Sequence, residues 1–125
     1  MVVKETVRGL DECNAAIEKY QGKGPLFIFF SGDKDAAGTS WCPDCVDAEP
    51  VVISCLESAP EDTVFIYCSV GDRQFWKNSE NGFRTNNRLK LTSIPTLLKW
   101  GSSRRLVEEE CKKADLVKML FEDDD

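Results

Sequence analysis

Two short runs constrain the fold more than any other feature. LFIFF at residues 26–30 and TVFIYCSV at 63–70 are apolar almost without interruption. A strand with one wet face alternates apolar and polar side chains, whereas a continuous apolar run suits a strand covered on both faces. A sheet built on two such strands needs helices on each side of it.

The rest of the chain supplies them. Residues 2–7, VVKETV, are β-branched and read as a short strand. In LDECNAAIEKY, Leu10, Cys13, Ile17 and Tyr20 fall on one helical face. Gly22-Lys23-Gly24-Pro25 then stops the helix. SGDKDAAGTS, residues 31–40, is a polar loop. From Pro43 a second helix places Cys45, Ala48, Val52, Cys55, Leu56 and Ala59 together, with a kink expected at Pro50 and a stop at Pro60. GDRQFWKNSENG reads as a turn-rich loop carrying Phe75 and Trp76, and NGFRTNNRL as a short helix. TLLKW follows Pro95 as a strand, and Gly101-Ser102-Ser103 turns it into RLVEE as an antiparallel hairpin. DLVKMLF closes the chain as an amphipathic helix with Leu116, Leu120 and Phe121 apolar. The order β-α-β-α-β-α-β-β-α predicts one α/β domain over residues 1–125, a mixed sheet with helices on both faces.

Composition narrows the function classes. A hydrophobic share of 42% fits a packed domain. A net charge of -6 without a basic stripe excludes the usual nucleic-acid binder. The acidic end, Glu122-Asp123-Asp124-Asp125, reads as a solvated tail. No run is long enough to span a membrane, MVVKETVRG lacks the apolar core of a signal peptide, and EDDD is not a retention signal. A cytoplasmic protein is expected, in a compartment that keeps thiols reduced. No G-x-G-x-x-G occurs, so no nicotinamide site is expected.

The six cysteines are 13, 42, 45, 55, 68 and 111. Cys13, Cys55 and Cys68 lie in apolar segments and read as ordinary buried thiols. Cys111 has charged neighbours and is expected to be partly exposed. Cys42 and Cys45 differ: they form the C-x-x-C of SWCPDCVDAEP. A structural zinc site needs four ligands, yet the chain has no histidine and one C-x-x-C, so no metal is expected. A cysteine hydrolase lacks its usual base for the same reason.

Helix chemistry separates the two thiols. Pro43 suits the first helical position, which makes Cys42 the N-cap and Cys45 the third helical residue. An N-cap side chain accepts from the free N–H groups of the first turn, and the helix dipole adds positive potential there. Both favour a thiolate at Cys42. The charge of Asp44 opposes it. Cys42 then attacks and the more buried Cys45 resolves. Trp41 either shields the pair or is a packed aromatic, and Ile94-Pro95 is a candidate cis peptide.

LFIFF, then WCPDC at a helix start, then TVFIYCSV, then IPTLLKW resemble the thioredoxin superfamily in order and over nearly the whole chain. The insert SGDKDAAGTS, the loop FWKNSENGFR and SIPTLLKWG are similar to one small branch of it. The resemblance implies a thioredoxin-like fold, with Cys42 as nucleophile and Cys45 as resolving thiol. Trp41, Pro43 and Asp44 would support the pair, and Ile94 before cis-Pro95 would offer its backbone to an extended substrate. It implies a monomeric cytosolic dithiol reductase with no bound cofactor, receiving electrons from NADPH through thioredoxin reductase. Its substrates would be small disulfides such as cystine, nitrosylated thiols and the dynein light chain, and a peroxidase-type reaction is open to the same dithiol. A redox-gated binding module, or a disulfide oxidase or isomerase, is the competing reading. Where ordinary thioredoxins carry a buried Asp behind the cysteines, LFIFF has Phe29 or Phe30, so Asp44, Asp47 or water would take that role. Phe75 and Trp76 either narrow access to the site or pack their loop onto the domain.

Overall fold

The computed structural model describes residues 2–122. Its elements are β1 (Val3–Arg8), α1 (Leu10–Tyr20), β2 (Leu26–Ser31), α2 (Pro43–Cys55), β3 (Val64–Ser69), α3 (Arg73–Lys77), α4 (Gly82–Thr85), β4 (Thr96–Lys99), β5 (Arg105–Val107) and α5 (Ala114–Glu122). Two 3₁₀ turns, Leu56–Ser58 and Glu108–Lys112, follow α2 and β5. The strands form one sheet in the order β1-β3-β2-β4-β5. β3 pairs in parallel with β1 and β2, while β4 runs antiparallel to β2 and to β5.

The apolar runs at 26–30 and 63–70 are the two central strands, and their pleat divides the core. Leu26, Ile28 and Phe30 of β2 join Val64, Ile66 and Cys68 of β3 on one face, under Cys13, Ala16 and Ile17 of α1. Phe27 and Phe29 join Phe65 and Tyr67 on the other, under Ala48, Val52 and Cys55 of α2 and Val117, Leu120 and Phe121 of α5. Side chains alternate across a strand, so burying both sets takes a helix layer on each side. The sheet is mixed and covered on both faces, as the sequence predicts. Among the described residues no helix is long and apolar enough to cross a membrane. Asp123–Asp125 of the expected acidic tail lie outside the described residues.

Four local expectations are corrected. The loop expected at 71–82 contains α3, whose N-cap Asp72 accepts the Phe75 N–H through Oδ1 at 2.8 Å. The hairpin strand RLVEE ends at Val107, because Glu108 takes a positive φ of 49° and starts the 3₁₀ turn. That turn carries Cys111 inward, so it is fully buried rather than partly exposed. Helix α2 runs through Pro50 and ends at Cys55 in its 3₁₀ turn, before Pro60 is reached.

Candidate active site

Cys42 and Cys45 meet at the start of α2. Pro43 is the first helical residue and Cys42 the N-cap, with extended backbone at φ -94° and ψ 108°. Cys42 Sγ accepts the Cys45 backbone N–H at 3.2 Å. The two sulfurs are joined as a disulfide, with Cα atoms 5.2 Å apart. Cys42 is 6% exposed and Cys45 fully buried, so Cys42 is the more accessible residue of the pair.

Neighbouring loops fix Cys42 from the N-terminal side. The buried Ser40 hydroxyl accepts the Cys42 N–H at 3.1 Å and donates to the Gly32 carbonyl at 2.9 Å. Half-buried Trp41 donates its indole N–H to the Gly71 carbonyl at 2.9 Å. Gly71 in turn donates its N–H to Asp33 Oδ1 at 3.0 Å, and the Arg8 guanidinium donates to Asp33 Oδ2 at 2.8 Å from Nε. The insert is therefore an ordered platform. Lys34 and Ser40 form a bridge across it, and Asp35 Oδ1 accepts the N–H groups of Ala37 and Thr39.

The opposite wall comes from the approach to β4. The Ile94–Pro95 peptide is cis, both residues are buried, and the Ile94 carbonyl oxygen lies 4.0 Å from Cys42 Sγ. Of the residues singled out in sequence, Cys42, Cys45, Trp41, Pro43, Asp44, Ile94 and Pro95 all gather here. Pro43 is exposed. Asp44 does not stand alone at the site: its Oδ1 is 2.8 Å from Lys112 Nζ. Phe29 and Phe30 are both fully buried, and no carboxylate is buried among the described residues. Asp47 is on the solvent side of α2, its side chain 65% exposed.

Trp76 takes the packing role read for it in the sequence. Trp76 is buried in the α1-side core, with the Arg84 guanidinium 4.1 Å from its ring centre. Phe75 is 47% exposed and lies against Gly71, the residue that anchors Trp41. Sequence reasoning missed Ser40 and Lys112. Ser40 left a local signal, a hydroxyl two residues before an N-cap. Lys112 left none, being 68 residues from Asp44.

The four remaining thiols, Cys13, Cys55, Cys68 and Cys111, are free and buried. Burial pushes the Cys111 thiol up to about 12 and raises Cys55. A hydrogen bond with Cys13, together with burial, raises Cys68. All three hold their protons at neutral pH and are poor nucleophiles.

The chain is similar to known proteins over nearly its whole length. A family model described as Thioredoxin domain-containing protein 17-like, thioredoxin domain, matches residues 6–123. The chain is 57% identical to thioredoxin domain-containing protein 17 of Danio rerio over 118 residues, covering 94% of each chain. It is 52% identical to the Homo sapiens protein of that name over 119 residues, 95% of this chain and 94% of that one. It is 36% identical to thioredoxin-like protein Clot of Oryza sativa subsp. japonica, over 86% of this chain and 82% of the relative. Among solved structures, oxidized thioredoxin O1 from Arabidopsis thaliana superposes with a TM-score of 0.57, at 24% identity, over 97% of this chain and 98% of that one. The fold is thioredoxin-like.

Proposed function

The chain belongs to the family of thioredoxin-domain proteins like thioredoxin domain-containing protein 17, and from that premise we propose that it is a dithiol–disulfide reductase. The observation that carries the reading is the asymmetry of the pair. Cys42 is the N-cap, its sulfur accepts the Cys45 N–H at 3.2 Å, and Cys45 is fully buried. That donor and the helix dipole stabilise negative charge on Cys42 Sγ.

In the reduced protein the Cys42 thiolate attacks one sulfur of a substrate disulfide. A Cys42–substrate disulfide forms, and the first substrate thiolate leaves. Cys45, deprotonated, attacks Cys42 Sγ. The mixed disulfide breaks, the second substrate thiolate leaves, and Cys42–Cys45 is oxidised by two electrons. The Cys42–Cys45 disulfide supports this reading, being the bond that such a step would leave. Two electrons from NADPH, delivered by thioredoxin reductase, restore the dithiol.

The Ile94 carbonyl would accept a backbone N–H of an extended substrate, a role supported by its lying 4.0 Å from Cys42 Sγ. Trp41, Pro43 and Asp44 frame the approach. With no buried carboxylate among the described residues, the Cys45 proton would leave to water or to the solvent-side acids of α2. Cystine-like small disulfides, nitrosylated thiols and the dynein light chain are the proposed substrates, and the cytosol is the proposed setting.

The test is NADPH oxidation in the presence of thioredoxin reductase and cystine. The wild-type protein should sustain turnover, and Cys42→Ser should abolish it. Equal turnover by Cys42→Ser would remove the reductase reading.

A further inference from the structure

The 3₁₀ turn Glu108–Lys112 touches the approach to β4 at one end and the first turn of α2 at the other. The Glu108 backbone N–H donates to the Pro95 carbonyl at 2.8 Å, and Cys111 Sγ lies 3.7 Å from the same oxygen. At its other end, Lys112 Nζ is 2.8 Å from Asp44 Oδ1, 3.0 Å from Glu109 Oε1 and 3.6 Å from Asp47 Oδ2. The Lys112 side chain is only 22% exposed. One ammonium thus serves three carboxylates, and the closest of them is two residues along the chain from Cys42.

Asp44, unopposed, would disfavour a thiolate at Cys42. Among the described residues, the charged groups paired around the first turn of α2 are Asp44 and Asp47 on the helix itself, and Glu109 and Lys112 on the 3₁₀ turn. Those on the insert are engaged elsewhere: Asp33 with Arg8, Lys34 with Glu49, and Asp35 with the Ala37 and Thr39 N–H groups of its own loop. From the β4 side Cys42 meets the neutral Ile94 carbonyl. Lys112 is therefore the cation that opposes Asp44. Its bonds to Asp44 and then Glu109 hold its proton well above the ordinary lysine range, so it stays charged while a thiol titrates.

We infer that Lys112 is a positioning residue for thiol–disulfide exchange: it holds Asp44 and cancels its charge, so that the Cys42 thiolate forms near neutral pH. This rests on the reading of Cys42 as the attacking thiol. A purely structural ion pair, solvated on one side, would add little stability and leave the thiol unaffected.

The experiment follows iodoacetamide modification of Cys42 against pH by mass, in full-length protein carrying Cys45→Ser so that no disulfide interferes. Lys112→Gln should raise the midpoint, on the order of half a pH unit. Asp44→Asn should lower it. Lys112→Gln with Asp44→Asn keeps the net charge of the cluster and should return the midpoint to the parent value, and Lys112→Arg should preserve it. An unchanged midpoint in Lys112→Gln, or a double variant no different from Lys112→Gln, overturns the inference. Should Lys112→Gln unfold, an unshifted midpoint in Asp44→Asn overturns it instead. Alkylation needs no reductase, so failure of disulfide turnover by the wild-type protein would refute the reductase reading while leaving this test standing.

Discussion

A Cβ on Gly32 would lie 2.6 Å from Cε2 of the Trp41 indole. The ring that precedes the cysteine pair is laid directly on the backbone where β2 gives way to the insert. Gly32→Ala must therefore push the indole aside and strain its bond to the Gly71 carbonyl. The expected cost is about 1–3 kcal/mol, as for other overpacked sites. Urea unfolding followed by tryptophan fluorescence should show a lower midpoint and an altered native emission.

Asn81 ties α3 to α4. Its Oδ1 accepts the Phe83 N–H at 2.9 Å, and its Nδ2 donates to the carbonyls of Trp76 and Asn78, each at 2.9 Å. The side chain is buried, so Asn81→Ala strands several backbone groups at once. A loss of about 2 kcal/mol is expected in denaturant unfolding, from the cap and the unpaired carbonyls together.

Burial of Cys111 makes stability fall at high pH. Its thiol is raised from 9.0 to about 12 because the charged form is desolvated. The unfolded chain releases this proton near 9 and the folded chain holds it. The stabilisation is therefore whole below pH 9 and is lost as pH rises toward 12. Tyr67, raised from 10.0 by burial, acts in the same direction. The slope from Cys111 should be on the order of 1 kcal/mol per pH unit. Denaturant titrations between pH 9 and pH 11 should show it, and Cys111→Ala should reduce it.

How much of this could be read from the chain depends on how local the physics is. Cys42, Pro43 and Cys45 were legible because an N-cap is defined within one helical turn, and the structure has Cys42 accepting the Cys45 N–H as that position requires. β2 and β3 were legible because burial on both faces leaves no polar gaps. A five-residue helix such as α3 shows no periodicity, and only its Asp72 cap marked it. The charged neighbours of Cys111 point to partial exposure, yet it is fully buried. The positive φ at Glu108, which turns the chain inward, is a tertiary outcome. Lys112 at Asp44 is a contact between distant segments, and no spacing in the sequence announces it.

The division of labour between the cysteines is tested most directly by trapping. Cys45→Ser, reduced and mixed with a disulfide substrate, should accumulate a covalent adduct on Cys42 that dithiothreitol releases. Cys42→Ser should accumulate none, since Cys45 is fully buried. Adduct formation on Cys45 in Cys42→Ser, with none in Cys45→Ser, would contradict the assignment of Cys42 as attacker and Cys45 as resolver.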